Sequence, residues 1–118
     1  MTARAPLRQL NDFESFREGE TIFKEGDPGE HMYFVLAGRI NIVVRDNVVD
    51  TVGMGGIVGE MALIDDKPRS ASAIAKTACK LIPIDQGRFM SLVQETPDFA
   101  IQVMRVMANR LRQMDARP

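Results

Sequence analysis

From Phe13 to Ile84, short apolar stretches recur about every eight to twelve residues, each closed by glycine, proline or another turn former. Residues 39–45 alternate Ile40, Ile42 and Val44 against Arg39, Asn41, Val43 and Arg45, the mark of a half-buried strand. EGDPGE at 25–30 is a turn by mechanism, because its glycines and proline supply the backbone angles that turns need. Asp46-Asn47 is expected as the hairpin turn into a strand over 48–52, and Gly53-Met54-Gly55-Gly56 marks a further corner. Two more strands are expected over 72–76 and 79–84, separated at Lys76-Thr77-Ala78. This rhythm belongs to sandwiches and barrels.

After Ile84 the period becomes helical. Asp85 is a candidate N-cap, with Phe89, Leu92 and Val93 on one face of a short helix. Thr96 as a second N-cap and Pro97 at the first helical position open a longer helix. Its apolar residues Ala100, Val103, Met104, Met107, Leu111 and Met114 fall at steps of three and four, and Ile101, Val106 and Ala108 widen the stripe enough to receive a partner helix. The expected architecture is mainly β with α: a β-roll over about 13–84 and C-terminal helices over about 85–115, after a leader at 1–12.

Composition narrows the function classes. A chain of 118 residues supports a single core, and 45% hydrophobic with 26% charged residues is ordinary globular usage. A formal net charge of −1 gives no general attraction to nucleic acid or acidic lipid, so neither is expected as a direct partner. The longest apolar run, 32–37, is too short for a membrane span, and the first residues lack a signal peptide's apolar centre. A cytoplasmic location is the expectation. The lone Cys79 excludes an internal disulfide and is read as a small buried hydrophobe. His31, the single histidine, has no ligand partner at useful spacing and is read as a strand-end residue, so no metal or other cofactor is expected.

The chemistry concentrates in GEMALIDDKPRSASA, residues 59–73. Gly59 and Glu60 stand at the mouth of a short helical turn, and Arg69 precedes the small residues Ser70, Ala71, Ser72 and Ala73. A carboxylate accepts from a sugar hydroxyl, whereas a guanidinium fork matches two phosphate oxygens. Free N–H groups in the first helical turn suit an anion. Small side chains beside the arginine let a ligand lie against backbone. These pieces describe a pocket for a sugar phosphate.

The segment resembles the phosphate-binding cassette of cyclic nucleotide-binding domains, found in catabolite activator proteins, kinase regulatory subunits and nucleotide-gated channels. That family's pattern, G-E-x-A-L, a variable loop, then R-S/A/T-A-S/T, is filled in order by Gly59, Glu60, Ala62, Leu63, Arg69, Ser70, Ala71 and Ser72. GETIFKEGDPGEHMYFVLAGRINIVV (19–44) is similar to the family's opening strands, and PIDQGRFMSLVQETPDFAIQVMRVMANRLRQM (83–114) to its closing helices. The resemblance implies an antiparallel, jelly-roll-like β-roll (a double-stranded β-helix) with a short cassette helix and C-terminal helices. It further implies cyclic AMP or cyclic GMP as ligand. Arg69 would then hold the cyclic phosphate, Glu60 the ribose 2′-hydroxyl, and Gly59 the tight turn. Ala62 and Ala71 would offer backbone N–H groups, Ser70 would stand beside the phosphate, Met61 would line the ligand-binding pocket, and Val52, Val58, Leu111 and Met114 are candidate base or cap contacts. Many relatives carry an aromatic where Val58 stands, and a threonine at Ser70 is associated with cyclic GMP, so serine leans toward cyclic AMP.

The leading expectation is a non-enzymatic sensor that binds a cyclic nucleotide and signals through its C-terminal helices. A second is an interaction module with a vestigial or differently occupied pocket, pairing as a homodimer through Val103, Met107 and Leu111 or docking an effector protein. A third is the sensor part of a larger transcription regulator of the catabolite activator type, whose helix-turn-helix would follow the last helix; residues 1–118 are not expected to contact nucleic acid themselves. An enzyme reading comes last, because Glu60 with Asp65 or Asp66 has no nucleophile or electrophile beside it.

Overall fold

The computed structural model of the protein describes residues 13–115. The expected leader at 1–12 lies outside the described residues. The strands are β1 (Glu14–Phe16), β2 (Thr21–Phe23), β3 (Met32–Ala37), β4 (Ile40–Val44), β5 (Asn47–Val52) and β6 (Ile57–Val58). A short helix α1 (Glu60–Asp65) follows, then β7 (Ser72–Ala75), β8 (Cys79–Ile84), α2 (Gln86–Glu95) and α3 (Asp98–Asp115). They form two four-stranded antiparallel sheets, ordered β1-β8-β3-β6 and β2-β7-β4-β5. Most connections carry the chain from one sheet to the other, giving the expected β-roll with helices appended.

The side-chain period of two explains how the first sheet serves two cores. Val35, Val58, Cys79 and Leu81 face Ile40, Ile42, Ala73 and Ala75 of the opposite sheet. Met32, Phe34, Ile57, Ile82 and Ile84 point the other way, onto Leu63 of α1, Leu92 of α2, and Phe99 and Val103 of α3. Buried on both faces, β3 and β8 read as nearly continuous apolar runs, as such strands do. Each large apolar side chain in these clusters contributes roughly 1.5–3 kcal/mol of burial. Cys79 is buried, and its thiol donates to the carbonyls of Arg39 and Thr77, each at 3.2 Å.

Two local expectations shift. The β4–β5 hairpin turns at Arg45-Asp46, which take left-handed φ of 51° and 67°, and not at Asp46-Asn47. Two left-handed residues match the sheet's twist, and the Asn47 amide donates to the Arg45 carbonyl at 3.1 Å while Asn47 itself opens the strand. Asp85 caps α2 by accepting from the Arg88 amide at 2.8 Å, but α3 begins at Asp98, after a turn in which Phe99 and Ala100 donate to the carbonyls of Thr96 and Pro97.

The phase of α3 also differs from the expected stripe. Phe99 and Val103 are each 1% exposed, and Val106 and Met107 pack against the same core, whereas Met104 and Leu111 are 55% and 60% exposed. Phe99 brings the most apolar volume to the helix and so sets which face docks. No helix among the described residues is long and apolar enough to cross a membrane.

Candidate functional site

The cassette holds the two most deeply buried charged side chains among the described residues, Glu60 at 0% and Arg69 at 6% exposure. Arg69 lies between α1 and β7, fixed first through its backbone. Its N–H donates to the Asp27 carbonyl and its own carbonyl accepts from the Gly26 amide, both at 2.8 Å, so the 25–30 turn clasps it. The guanidinium turns inward. Nη1 donates to the Gly59 carbonyl at 2.9 Å, Nη2 donates to the His31 carbonyl at 2.5 Å, and the group stacks 4.0 Å above the Phe23 ring centre. Nε is buried with no partner among the described residues.

Burial pushes the Arg69 pKa below its ordinary value, while Tyr33, Asp27 and Glu60 pull the other way. A guanidinium so placed remains charged at neutral pH. Gly59 is what permits the approach. It caps α1 at a φ of 78°, and a Cβ there would stand 2.5 Å from Arg69 Nη1 and 3.2 Å from the Phe23 ring.

Glu60 is the first residue of α1, where a carboxylate favours the helix dipole. One of its oxygens, Oε1, forms an ion pair with Nη1 of Arg110 on α3, and Arg110 Nη2 donates to the Ile57 carbonyl at 3.2 Å. The other, Oε2, is buried with no partner among the described residues. A buried acceptor left unsatisfied costs about 1–3 kcal/mol.

Beside these groups is a cavity of about 330 Å³, lined mainly by apolar surface. Of the residues singled out from sequence, Gly59, Met61, Ala62, Arg69, Ser70 and Ala71 line it. Glu60 does not; Arg110 lines the wall, and Glu60 is its ion-pair partner. Val58 is fully buried among the inter-sheet residues and Val52 packs against the same cluster, so neither reaches the cavity wall. Val52 shares the interior face of Asp50 but pairs with Ile40, and Val58 pairs with Tyr33, so each fills the inter-sheet core beyond the end of the cavity. Leu111 is exposed and off the wall because α3 meets the cavity through Arg110 and Gln113 instead. The Met114 side chain lies outside the described residues.

The remaining wall, not anticipated from sequence, is Phe23, Ile42, Val44, Val49, Asp50, Arg110 and Gln113. A signal for the helical part existed. Phe99, Val103, Val106, Arg110 and Gln113 follow steps of four and three, a stripe visible once Phe99 is taken as its origin. It begins apolar and ends polar, as a helix does when it passes from a core onto a ligand pocket.

Comparison with known proteins agrees with this geometry. The family profile described as cyclic nucleotide-binding domain matches residues 13–96. A CRP-like cAMP-activated global transcriptional regulator of Mycobacterium tuberculosis is 31% identical over 113 residues, covering 92% of this chain and 50% of the relative. The crystal structure of Thermus thermophilus catabolite activator protein is similar with a TM-score of 0.78 at 28% identity, covering 88% of this chain and 51% of that one. A structure of PKAR CBD2 with Sp-2Cl-cAMPS bound gives a TM-score of 0.77 at 28% identity, covering 88% and 69%. The chain spans about half the length of that Mycobacterium tuberculosis regulator and of a cyclic AMP receptor protein of Thermus thermophilus. The chain belongs to the cyclic nucleotide-binding domain family.

Proposed function

We propose that this member of the family is a non-enzymatic sensor that binds a cyclic nucleotide in the cassette cavity, cyclic AMP in preference to cyclic GMP. The observation that carries the reading is Arg69: a buried cation on a cavity wall, held by two carbonyls and an aromatic face, with no carboxylate at ion-pair distance among the described residues. A buried charge without a counter-charge is costly, and an entering phosphate supplies one. Its donors, Nε included, then turn to phosphate oxygens. The ribose hydroxyl donates to Glu60 Oε2, and Ser70 and the N–H groups of Ala62 and Ala71 complete the polar end. Serine at position 70 supports the lean toward cyclic AMP.

Signalling follows from Arg110. It ties α3 to Glu60 and to the Ile57 carbonyl, so a ligand that reaches Glu60 must meet the tether between cassette and last helix. Ligand shifts the position of α3 only by its difference in affinity for the two arrangements. Isothermal titration with cyclic AMP should give a dissociation constant in the micromolar range or below. Absence of heat, together with no displacement of a fluorescent analogue at high micromolar concentration, overturns the reading.

A second reading concerns a partner. Ile101, Met104 and Leu111 are 43%, 55% and 60% exposed and share one outward stripe of α3. This stripe, rather than the buried Val103 expected from sequence, is the surface through which two copies would pair. Sedimentation should show a dimer that Leu111→Glu disrupts while cyclic AMP binding persists; a monomeric wild type removes this reading.

A further inference from the structure

The base end of the cavity carries a charged group that neither the phosphate nor the ribose explains. Asp50 is on β5, the strand of its sheet farthest from β2, and its partner across the ladder is Ile42, which in turn pairs with Ala73 of β7. Directly opposed residues of an antiparallel ladder put their side chains on the same face. Ala73 and Ile42 face the interior, so Asp50 does as well, half-buried and on the cavity wall.

A bulge puts it there alongside Val49. The register passes from Ile42 opposite Asp50 to Val43 opposite Val48, leaving Val49 as the extra residue. Both Val49 and Asp50 consequently line the cavity, where strict alternation would turn one of them to solvent. Oδ1 of Asp50 accepts from the Thr51 amide at 2.8 Å, and no other hydrogen bond to the carboxylate is made among the described residues. Two strand spacings, roughly 10 Å, separate β5 from β7, the strand that Arg69 leads into. That span suits a nucleotide lying with its phosphate at Arg69 and the distal edge of its base at β5.

We propose that Asp50 is the base-selecting residue, discriminating at the 6-position of a purine; the inference rests on the cyclic nucleotide reading above. An ionised carboxylate only accepts. Adenine offers it an amino donor at the 6-position, whereas guanine and hypoxanthine present a carbonyl oxygen whose lone pairs oppose those of Asp50. Gln113, on the facing α3 wall, does not discriminate by itself because its amide can rotate to donate or accept. Ser70 adjoins Arg69 at the phosphate end and Arg110 is paired with Glu60, so selection at the distal edge of the base falls to Asp50.

The test titrates wild type, Asp50→Asn and Asp50→Ser with cyclic AMP, cyclic GMP and cyclic IMP, the last being a 6-oxo purine without guanine's 2-amino group. Asparagine keeps an oxygen for the Thr51 amide and nearly the same shape, but adds a donor that a 6-oxo group accepts. Wild type should prefer cyclic AMP to cyclic IMP by about tenfold or more, and both substitutions should narrow that ratio to within about threefold. An unchanged ratio in both variants overturns the proposal, since a purely structural Asp50 would leave it untouched. A wild type that prefers either 6-oxo nucleotide also overturns it. Failure of wild type to bind any of the three overturns the cyclic nucleotide reading itself, so the two failures are distinguishable.

Discussion

Arg69 and Arg110 line the same cavity but are held in opposite ways. Arg69 comes from the loop entering β7, is almost fully buried, and is bound by carbonyl oxygens and a phenyl ring. Arg110 comes from the last helix, keeps 21% of its side chain exposed, and is bound to the fully buried Glu60. The first is a cation positioned by neutral dipoles, which leaves its charge available to an anion. The second is neutralised within the fold and joins two distant elements. In the proposed sensor the charge without a counter-ion binds the ligand, and the compensated one reports it.

The comparison breaks most sharply at Arg110. Arg110→Ala leaves the Glu60 carboxylate buried and uncompensated, and loss of one partner from such a pair costs about 3–5 kcal/mol. Urea unfolding should show that loss as a lower midpoint at unchanged slope. A stability within about 0.5 kcal/mol of wild type, the scatter of a surface change, would mean that the pair does not hold α3.

Arg69→Ala should act on affinity instead. Losing a charged hydrogen-bonding group costs about 1.5–3 kcal/mol, roughly ten- to 150-fold in the cyclic AMP dissociation constant. Its effect on unfolding should be smaller than that of Arg110→Ala, because no carboxylate is left stranded. If Arg69→Ala instead unfolds the protein as readily as Arg110→Ala while binding survives, the roles are reversed.

The smallest expected effect is with pH. Burial lowers the Arg69 pKa below its ordinary value, so its charged form is less favourable in the folded than in the unfolded chain. That penalty is present at every pH below the folded pKa and is relieved only as pH rises through it toward the unfolded value. Between about pH 6 and 9 Arg69 therefore contributes no slope to stability. Cyclic AMP affinity of wild type should likewise stay flat over that window as far as Arg69 is concerned, because its guanidinium remains charged. A steep change in wild-type affinity that Arg69→Ala removes would show that Arg69 titrates where its chemistry says it does not.

Much of the site was legible in sequence because it is local. Gly59, Arg69, Ser70 and Ala71 fall within a dozen residues, and their chemistry is set by side-chain type and by one tight turn. The strand rhythm and the switch to a helical period were legible for the same reason. The hairpin turn shifted by one residue because Arg45 shows no turn preference, yet it must take a left-handed φ when Val44 pairs with Asn47. The family resemblance points to Val58 and Val52 as pocket contacts, but both fill the inter-sheet core, and which interior residues border a cavity depends on how the two sheets pack.

By itself, then, the sequence determined the family, through its cassette motif, and the β-roll. Only the tertiary structure decided that Arg110 neutralises Glu60 from fifty residues away, and that Phe99 sets the docked face of α3. The same is true of the bulge at Val49 that brings Asp50 onto the wall. Local chemistry is written in neighbouring residues. Strand register, helix phase and ion pairing are settled by which distant surfaces bury together, because that burial supplies most of the free energy that selects among them.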